Sequence, residues 1–481
     1  MKKITLIAVL LFTYIGYSQA SQDSAKIYKK RVLETAEVDI ISSFYAQDGD
    51  NAAVTGGIGT EKLTDLATSI TISIPLNDDD VFTLDGTISA YSSASSSNIN
   101  PFGGDDGDDG DDDESNYSSN AISFGSPWIE SSGASKSDVW INGDIGYSHS
   151  SDDRNSVAGA NISFAKEYDY TSIGLGGSFA KLFNEKNTEI SAKATIYIDS
   201  WQPIYPVELK TYIEKNQNLN AGFFNGINIY NQNGIAIDKN GATVWSPLKS
   251  SLINTKSRNT YSLSLGFSQI LSKRAQFSVF LDLVQQNGWL ANPMQRVYFA
   301  DRANYYIGNP ASIPNYTSTS NKDVFQLADD IERMPQTRFK VPVGLRFNYY
   351  INELVTIRTY YRYYYDDWGI TSHTANIELP VKISDKFTLY PTYRYYIQTA
   401  ADYFAPYEQL FSTDEFYTSD YDLSKFDSNQ FGFGISYTDI FTKGKIWKLG
   451  LKNVDLKYSS YKRNTGLSAS IISAGFKFVM D

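Results

Sequence analysis

The 481-residue chain has no cysteine, which removes disulfide staples, thiolate catalysis, cysteine metal sites and a lipid-modified cysteine behind a leader. Histidine is almost absent too, so imidazole chemistry has only His149 and His373 to draw on. Helical membrane spans are missing. The one long apolar run, Ile4 to Tyr17, is about 14 residues, short of the ~20 that a spanning helix needs. Lys2 and Lys3 precede this run, and Ser18 and Ala20 follow it. That order reads as a cleavable secretory signal over residues 1–20. Residues 21–36, with Lys26, Lys29, Lys30 and Arg31, are expected to form a periplasmic tail or short helix, with a lumenal plug as the alternative.

What is abundant is tyrosine, phenylalanine and glycine, at 36, 27 and 33 residues. Mean hydropathy is only −0.33. A strand that meets lipid on one face carries apolar side chains at alternate positions only, so a membrane barrel can hide behind a low mean. The net charge of −12 comes largely from one run: Asp105, Asp106, Asp108, Asp109, Asp111, Asp112, Asp113 and Glu114. This glycine-spaced acidic run cannot pack and is expected to be a solvated spacer. Its oxygen ligands suit a hard cation, but the frame of a preformed calcium loop is missing, so Asp105, Asp106, Asp108, Asp109, Asp111 and Asp112 stand as weak metal candidates. No nucleic-acid partner is expected from this charge balance.

Two-residue alternation recurs along the mature chain. Phe82, Leu84, Ile88 and Ala90 alternate with Thr83, Asp85, Thr87 and Ser89. Comparable runs lie near 38–46, 67–75, 139–148, 157–165, 171–180, 189–198, 260–270, 276–285, 338–349, 355–365, 374–382, 387–396, 430–438, 453–460 and 468–479. We therefore expect an all-β, up-and-down antiparallel transmembrane barrel of about 16 strands over residues 37–481. The connections alternate in length as such a barrel requires. Tight polar turns such as Asn77–Asp80, Asn184–Asn187 and Ser384–Lys386 face the periplasm, and long outer loops lie near 91–138, 200–259, 286–337 and 398–429. The link from Asp439 to Leu451 is long for a periplasmic turn and leaves 14 or 18 strands as alternatives. The last strand, with Ile472, Ala474, Phe476 and Phe478 on one face, resembles the terminal strand read by barrel-assembly machinery, although Asp481 departs from the usual terminal aromatic.

Parity then assigns the lumen. Arg346, Arg358, Tyr360, Arg362, Arg394 and Tyr396 form a basic wall from strands ten, eleven and thirteen, while Asp85 and Asp144 stand about half a circumference away on strands three and four. Opposed walls impose a transverse field on solutes. The structural alternative is a charge ladder of Arg362, Glu378 and Arg394 on three consecutive strands. Asp366, Asp367, Trp368 and His373 crowd a short outer turn, read as aromatic-anchored with Trp368 in the interfacial belt. Ser372 beside His373 points to the other face of its strand, and His149 sits near Asp152 and Asp153 at a periplasmic turn, so neither histidine makes a good nucleophile–base pair.

Several stretches carry a family resemblance: Ser132-Gly133-Ala134-Ser135, Ser268 to Arg274, Asn292-Pro293 followed by Arg296-Val297-Tyr298, and Tyr361 to Ile370 with Ser372-His373-Thr374. In these the chain resembles the domain-of-unknown-function 3570 family. The resemblance implies an exported barrel of Gram-negative bacteria and brings no catalytic residue or cofactor. It also implies gene neighbours that include a small lipoprotein, a thioredoxin-like protein and a flavin transferase. The leading expectation is a monomeric, non-enzymatic outer-membrane channel or transporter for a small polar solute or ion, in contact with lipid and lipopolysaccharide. A barrel scaffold for a small lipoprotein or a redox- or metal-linked partner is the alternative. An outer-membrane hydrolase is the third reading.

Overall fold

Alternating side chains commit these segments to strands whose two faces meet different surroundings. In the computed structural model, which describes residues 31–93, 138–248, 256–316, 323–439 and 441–480, sixteen long strands form one closed sheet. They are β1 (Glu37–Asp48), β2 (Leu63–Pro75), β3 (Asp80–Ser93), β4 (Asp138–Ser150), β5 (Ser156–Lys166), β6 (Tyr170–Phe183), β7 (Thr188–Trp201) and β8 (Lys256–Ser272). The second half comprises β9 (Ala275–Gly288), β10 (Thr337–Tyr350), β11 (Thr356–Asp366), β12 (Thr371–Glu378), β13 (Phe387–Gln398), β14 (Phe426–Thr438), β15 (Leu449–Arg463) and β16 (Ser468–Met480). Each pairs antiparallel with the next, and β1 pairs with β16 from Glu37↔Val479 to Asp48↔Ser468, which closes the cylinder. The expected signal segment, the acidic run, the Ser132–Ser135 stretch and Asp481 lie outside the described residues.

The outward face is apolar and uncovered by protein: Ile41, Leu66, Ile88, Ile145, Ile162, Leu265, Phe431 and Ile472 all project from it. A ring of such side chains around a closed sheet is stable only against lipid. Two details of the strand reading change. The run near 374–382 is one stave broken by Pro380, which has no N–H to give the ladder; pairing with β13 resumes at Val381–Lys382. The Asp439–Leu451 link hides no further stave, because Lys445–Ile446 folds back on Leu449–Gly450 as a tip of β15. Sixteen staves therefore stand and the 14- and 18-strand alternatives fall. At the periplasmic rim, Arg31 bonds Asp78 at 2.8 Å.

The long outer loops build a cap with its own core. Residues 202–248 contribute a helix, α1 (Val207–Glu214), and a buried group of Leu209, Phe223, Phe224, Ile229 and Trp245; residues 289–336 add Tyr298, Ile307, Phe325 and Leu327. Trp245 donates its indole N–H to the Ala328 carbonyl at 3.1 Å. Residues 399–425 join through the pairings Phe299↔Leu410 and Arg333↔Tyr417. The β1–β2 loop reaches the same body, with Gly56 at φ 79° packed where any side chain would overlap the Tyr298 ring. Its Val54 carbonyl accepts from Arg296 Nη1 at 2.9 Å. Arg296 belongs to the β9–β10 loop, and β1 and β9 are eight staves apart in a cylinder of sixteen, so this contact spans the mouth.

Arg296 is also the centre of the cap's charge. Its Nε and Nη2 donate to Glu208 Oε1 and Oε2 at 2.6 and 3.2 Å, and both side chains are fully buried. Removing one partner of such a pair strands the other charge in the interior. Glu208→Ala should therefore destabilise the cap by about 3–5 kcal/mol. Limited proteolysis should then cut residues 202–248 and 289–336 faster, while the heat-modifiable gel mobility of the barrel is kept. Unchanged protease resistance would show that the pair does not hold the cap.

Candidate functional site

Register arranges the lumen-facing side chains in rows. One row crosses β10 to β15 as Arg346, Tyr360, Asn376, Arg394, Gln430 and Tyr461, each the cross-strand partner of the next. The row on its outer side carries Arg362, Thr374, Tyr396, Ser428 and Arg463, and the row on its periplasmic side carries Asn348, Arg358, Glu378 and Thr392. A cavity of about 800 Å³ opens against this lattice and brings together Arg346, Arg358, Arg362, Glu378, Arg394 and Lys457.

The expected Arg362–Glu378–Arg394 ladder is not what the register makes. Glu378 stands opposite Arg358, which it holds at 2.9 Å, while Arg362 faces Thr374 and Arg394 faces Asn376. Offsets of four residues for Arg362 and two for Arg394 separate them from Glu378, although all three share a face in the sequence pattern. Among the described residues, Arg346, Arg362, Arg394 and Lys457 have no carboxylate oxygen within 4.0 Å. Arg346 lies over the rings of Phe280 and Tyr360, and Arg362 over Tyr364.

Asp85 and Asp144 face each other across β3 and β4, eight staves from β11 and β12. Their partners are neutral: Thr71 donates to Asp85 at 2.5 Å and Asn161 to Asp144 at 2.6 Å. The lumen thus has a cationic wall and a carboxylate wall, neither neutralised by the other. Glycine on the inner face makes room for tyrosine lying flat on its neighbour. Tyr390 covers Gly434, where a methyl group would overlap its ring, and reaches Asp455 with its hydroxyl at 2.5 Å.

The outer turn after β11 differs from its reading as a belt anchor. Trp368 is buried, not interfacial: Arg338 lies over its ring at 4.2 Å, and its N–H reaches the Thr337 carbonyl at 2.9 Å. The Asp366 carboxylate, fully buried, is why the turn folds inward. It accepts from Arg338 Nε at 2.9 Å, the Tyr364 hydroxyl at 2.7 Å and the backbone N–H groups of Trp368 and Ile370. Asp367 accepts from the Phe339 N–H. His373 instead faces outward, its Nδ1 bonded to the Tyr361 hydroxyl at 2.7 Å, with Ser372 buried on the opposite side. His149 sits at the periplasmic end of β4 against Asp80, 2.6 Å away.

Between the cap and the wall lies a second chamber of about 680 Å³, where Gln295, Asp420 and Glu61 look down on Arg394, Tyr396 and Gln430. Sequence reasoning missed these cap residues, and Lys457 with them. Lys457 could have been found by parity with Asp455 and Ser459, whereas nothing local marks Glu61 or Asp420. Burial pushes the Glu61 carboxyl up to about 7, and pushes Asp420 upward too, with the charge of Asp422 adding to it. Glu332, fully buried and accepting from the Asn292 N–H at 2.6 Å, is pushed up to about 8 by desolvation first and by Asp420 next.

A carboxyl group that holds its proton more tightly folded than unfolded stabilises fully below the ordinary range near 4.5. That stabilisation is lost as pH rises towards about 8. Proteolysis of residues 289–336 should accordingly speed up from pH 5 to pH 8.5, and Glu332→Gln should flatten the profile. A wild-type profile already flat over that window would show that Glu332 is ionised throughout.

Fold and lumen together define a capped β-barrel of the outer-membrane kind. The chain belongs to the family described as "Protein of unknown function (DUF3570)", whose model matches residues 2–469. Comparison with curated proteins gives no match. Among solved structures, the chain is similar to a bacterial polysaccharide outer membrane secretin (10% identity, 93% of this chain and 99% of that one, TM-score 0.39). It is similar also to a variant of the TodX monoaromatic hydrocarbon channel (9%, 94% and 91%, TM-score 0.39). A third is Pseudomonas aeruginosa OpdK with vanillate (8%, 92% and 99%, TM-score 0.34).

Proposed function

We propose that this barrel is a non-enzymatic conduit for small polar solutes or ions across the outer membrane, gated by its cap. The observation that carries this reading is the lumen itself: four cationic side chains without a carboxylate partner line a cavity of about 800 Å³, and the carboxylates of Asp85 and Asp144 stand on the far wall, held by neutral donors. Sixteen staves are enough to enclose a water-filled path.

The cap favours a second reading, in which the barrel is a scaffold. Residues 202–248, 289–316 and 323–336 form a packed body on the outer side, and a small lipoprotein or another extracytoplasmic partner could dock on it. Lipopolysaccharide would surround the outer rim in either case.

The two readings separate in planar-bilayer recordings of the purified full-length mature protein. A conduit gives discrete single-channel currents that favour anions, and an Arg362→Ala, Arg394→Ala double variant shifts the reversal potential towards cations. Open probability should rise in Glu208→Ala as the cap loosens. A folded barrel that stays silent in both wild type and Glu208→Ala would overturn the conduit and leave the scaffold.

A further inference from the structure

We infer that the basic wall is a binding site for a small polyanion, a molecule carrying two or more carboxylate or phosphate groups; this names the solute class of the proposed conduit and rests on that reading. The first support is how the protein treats its other arginines. Arg258, Arg338 and Arg463 face the lumen or its outer rim, and Arg296, Arg302 and Arg333 lie in the cap. Each holds a carboxylate of its own, respectively Asp199, Asp366, Asp422, Glu208, Asp329 and Asp330. Within the lumen and the cap, Arg346, Arg362 and Arg394 break that pattern together, at one place, around one cavity; the other described arginine without a carboxylate, Arg274, is exposed in a short turn. A structural ladder would have given them partners, because clustered like charges in a confined lumen are costly without counter-charge.

The second support is geometry. Arg346 and Arg394 share a row, three staves apart, so their backbones are about 14 Å from each other at the usual strand spacing. Arg362 stands one inward-facing step towards the outside, diagonal to Arg346. Tyr360, Asn376 and Thr374 occupy the positions between them and offer neutral donors. Three guanidinium groups converge on a patch too wide for one oxyanion to touch all of them, and each suits bidentate contact with a carboxylate or phosphate.

The third support is valence. Glu378 neutralises Arg358, which leaves Arg346, Arg362, Arg394 and Lys457 uncompensated. A single monovalent anion leaves most of that charge unmatched. A ligand with two or three oxyanions placed several ångströms apart matches both the charge and the spacing.

The test is equilibrium binding to the full-length barrel in detergent at fixed ionic strength, by calorimetric titration with citrate, with inorganic pyrophosphate and with acetate. Saturable binding of citrate or pyrophosphate, with acetate at least about tenfold weaker, is expected, and Arg362→Ala and Arg394→Ala should each weaken the polyanion by about tenfold. Arg274→Ala, in a periplasmic turn, should leave it unchanged, with heat-modifiable mobility reporting that every variant folds. No heat from either polyanion, binding that survives both substitutions, or acetate bound as tightly would each overturn the inference. Polyanion binding by a barrel that passes no current would keep this site and sink the conduit. Anion-selective current without polyanion binding would do the reverse.

Discussion

Everything in this structure depends on closing the backbone hydrogen-bond ladder. In lipid an unpaired N–H or carbonyl costs several kcal/mol, so a sheet that crosses the membrane cannot leave an edge. The pairing of β1 with β16 over the whole length of both strands meets that demand. Closure then fixes the rest: each stave turns one face to lipid and one to the lumen, side chains alternate without slippage, and polar groups gather inside where water or a ligand can satisfy them. The apolar ring around Ile88 and Phe431 and the arginine lattice inside are two faces of one constraint.

The cap follows a different physics. Above the membrane no ladder is obligatory, and the outer loops are held as a small soluble protein is held, by buried aromatics around Trp245 and by one enclosed ion pair between Arg296 and Glu208. Burial displaces the carboxyl groups of Glu61, Glu332 and Asp420 upward, which reflects how well the loops exclude water around them. Glu61 and Asp420 face Arg394 across one chamber, so the cap's acids and the basic wall border the same space.

Much of this was legible in the sequence because period-two alternation is a local signal. The strands near 82–90, 260–270 and 468–479 are found where alternation places them, and the count of such runs is their number, in step with the alternation of long and short connections. Side-chain alternation also put Arg346, Arg358, Arg362 and Arg394 together on the inner face. What alternation cannot supply is register. It could not say that Glu378 stands opposite Arg358 rather than between Arg362 and Arg394, because that depends on turn lengths and on the break at Pro380. Nor could it foresee Trp368, whose burial depends on Arg338 at the outer end of β10 and on Tyr403 from the β13–β14 loop. The cap was least readable of all. Arg296 and Glu208 are 88 residues apart, in segments without periodicity, and only the folded loops bring them into contact.

The reach of the cap across the mouth has a mechanical meaning. A lid hinged on one edge can swing aside while the rim keeps its shape. This body is instead moored at β1–β2, β7–β8, β9–β10 and β13–β14, on opposite sides of the cylinder. It behaves as a set of spokes meeting at a hub, bracing the rim against flattening. Opening such a wheel means releasing a spoke, and because Arg296 ties two of the other loops to its own, loosening that one residue slackens three spokes at once.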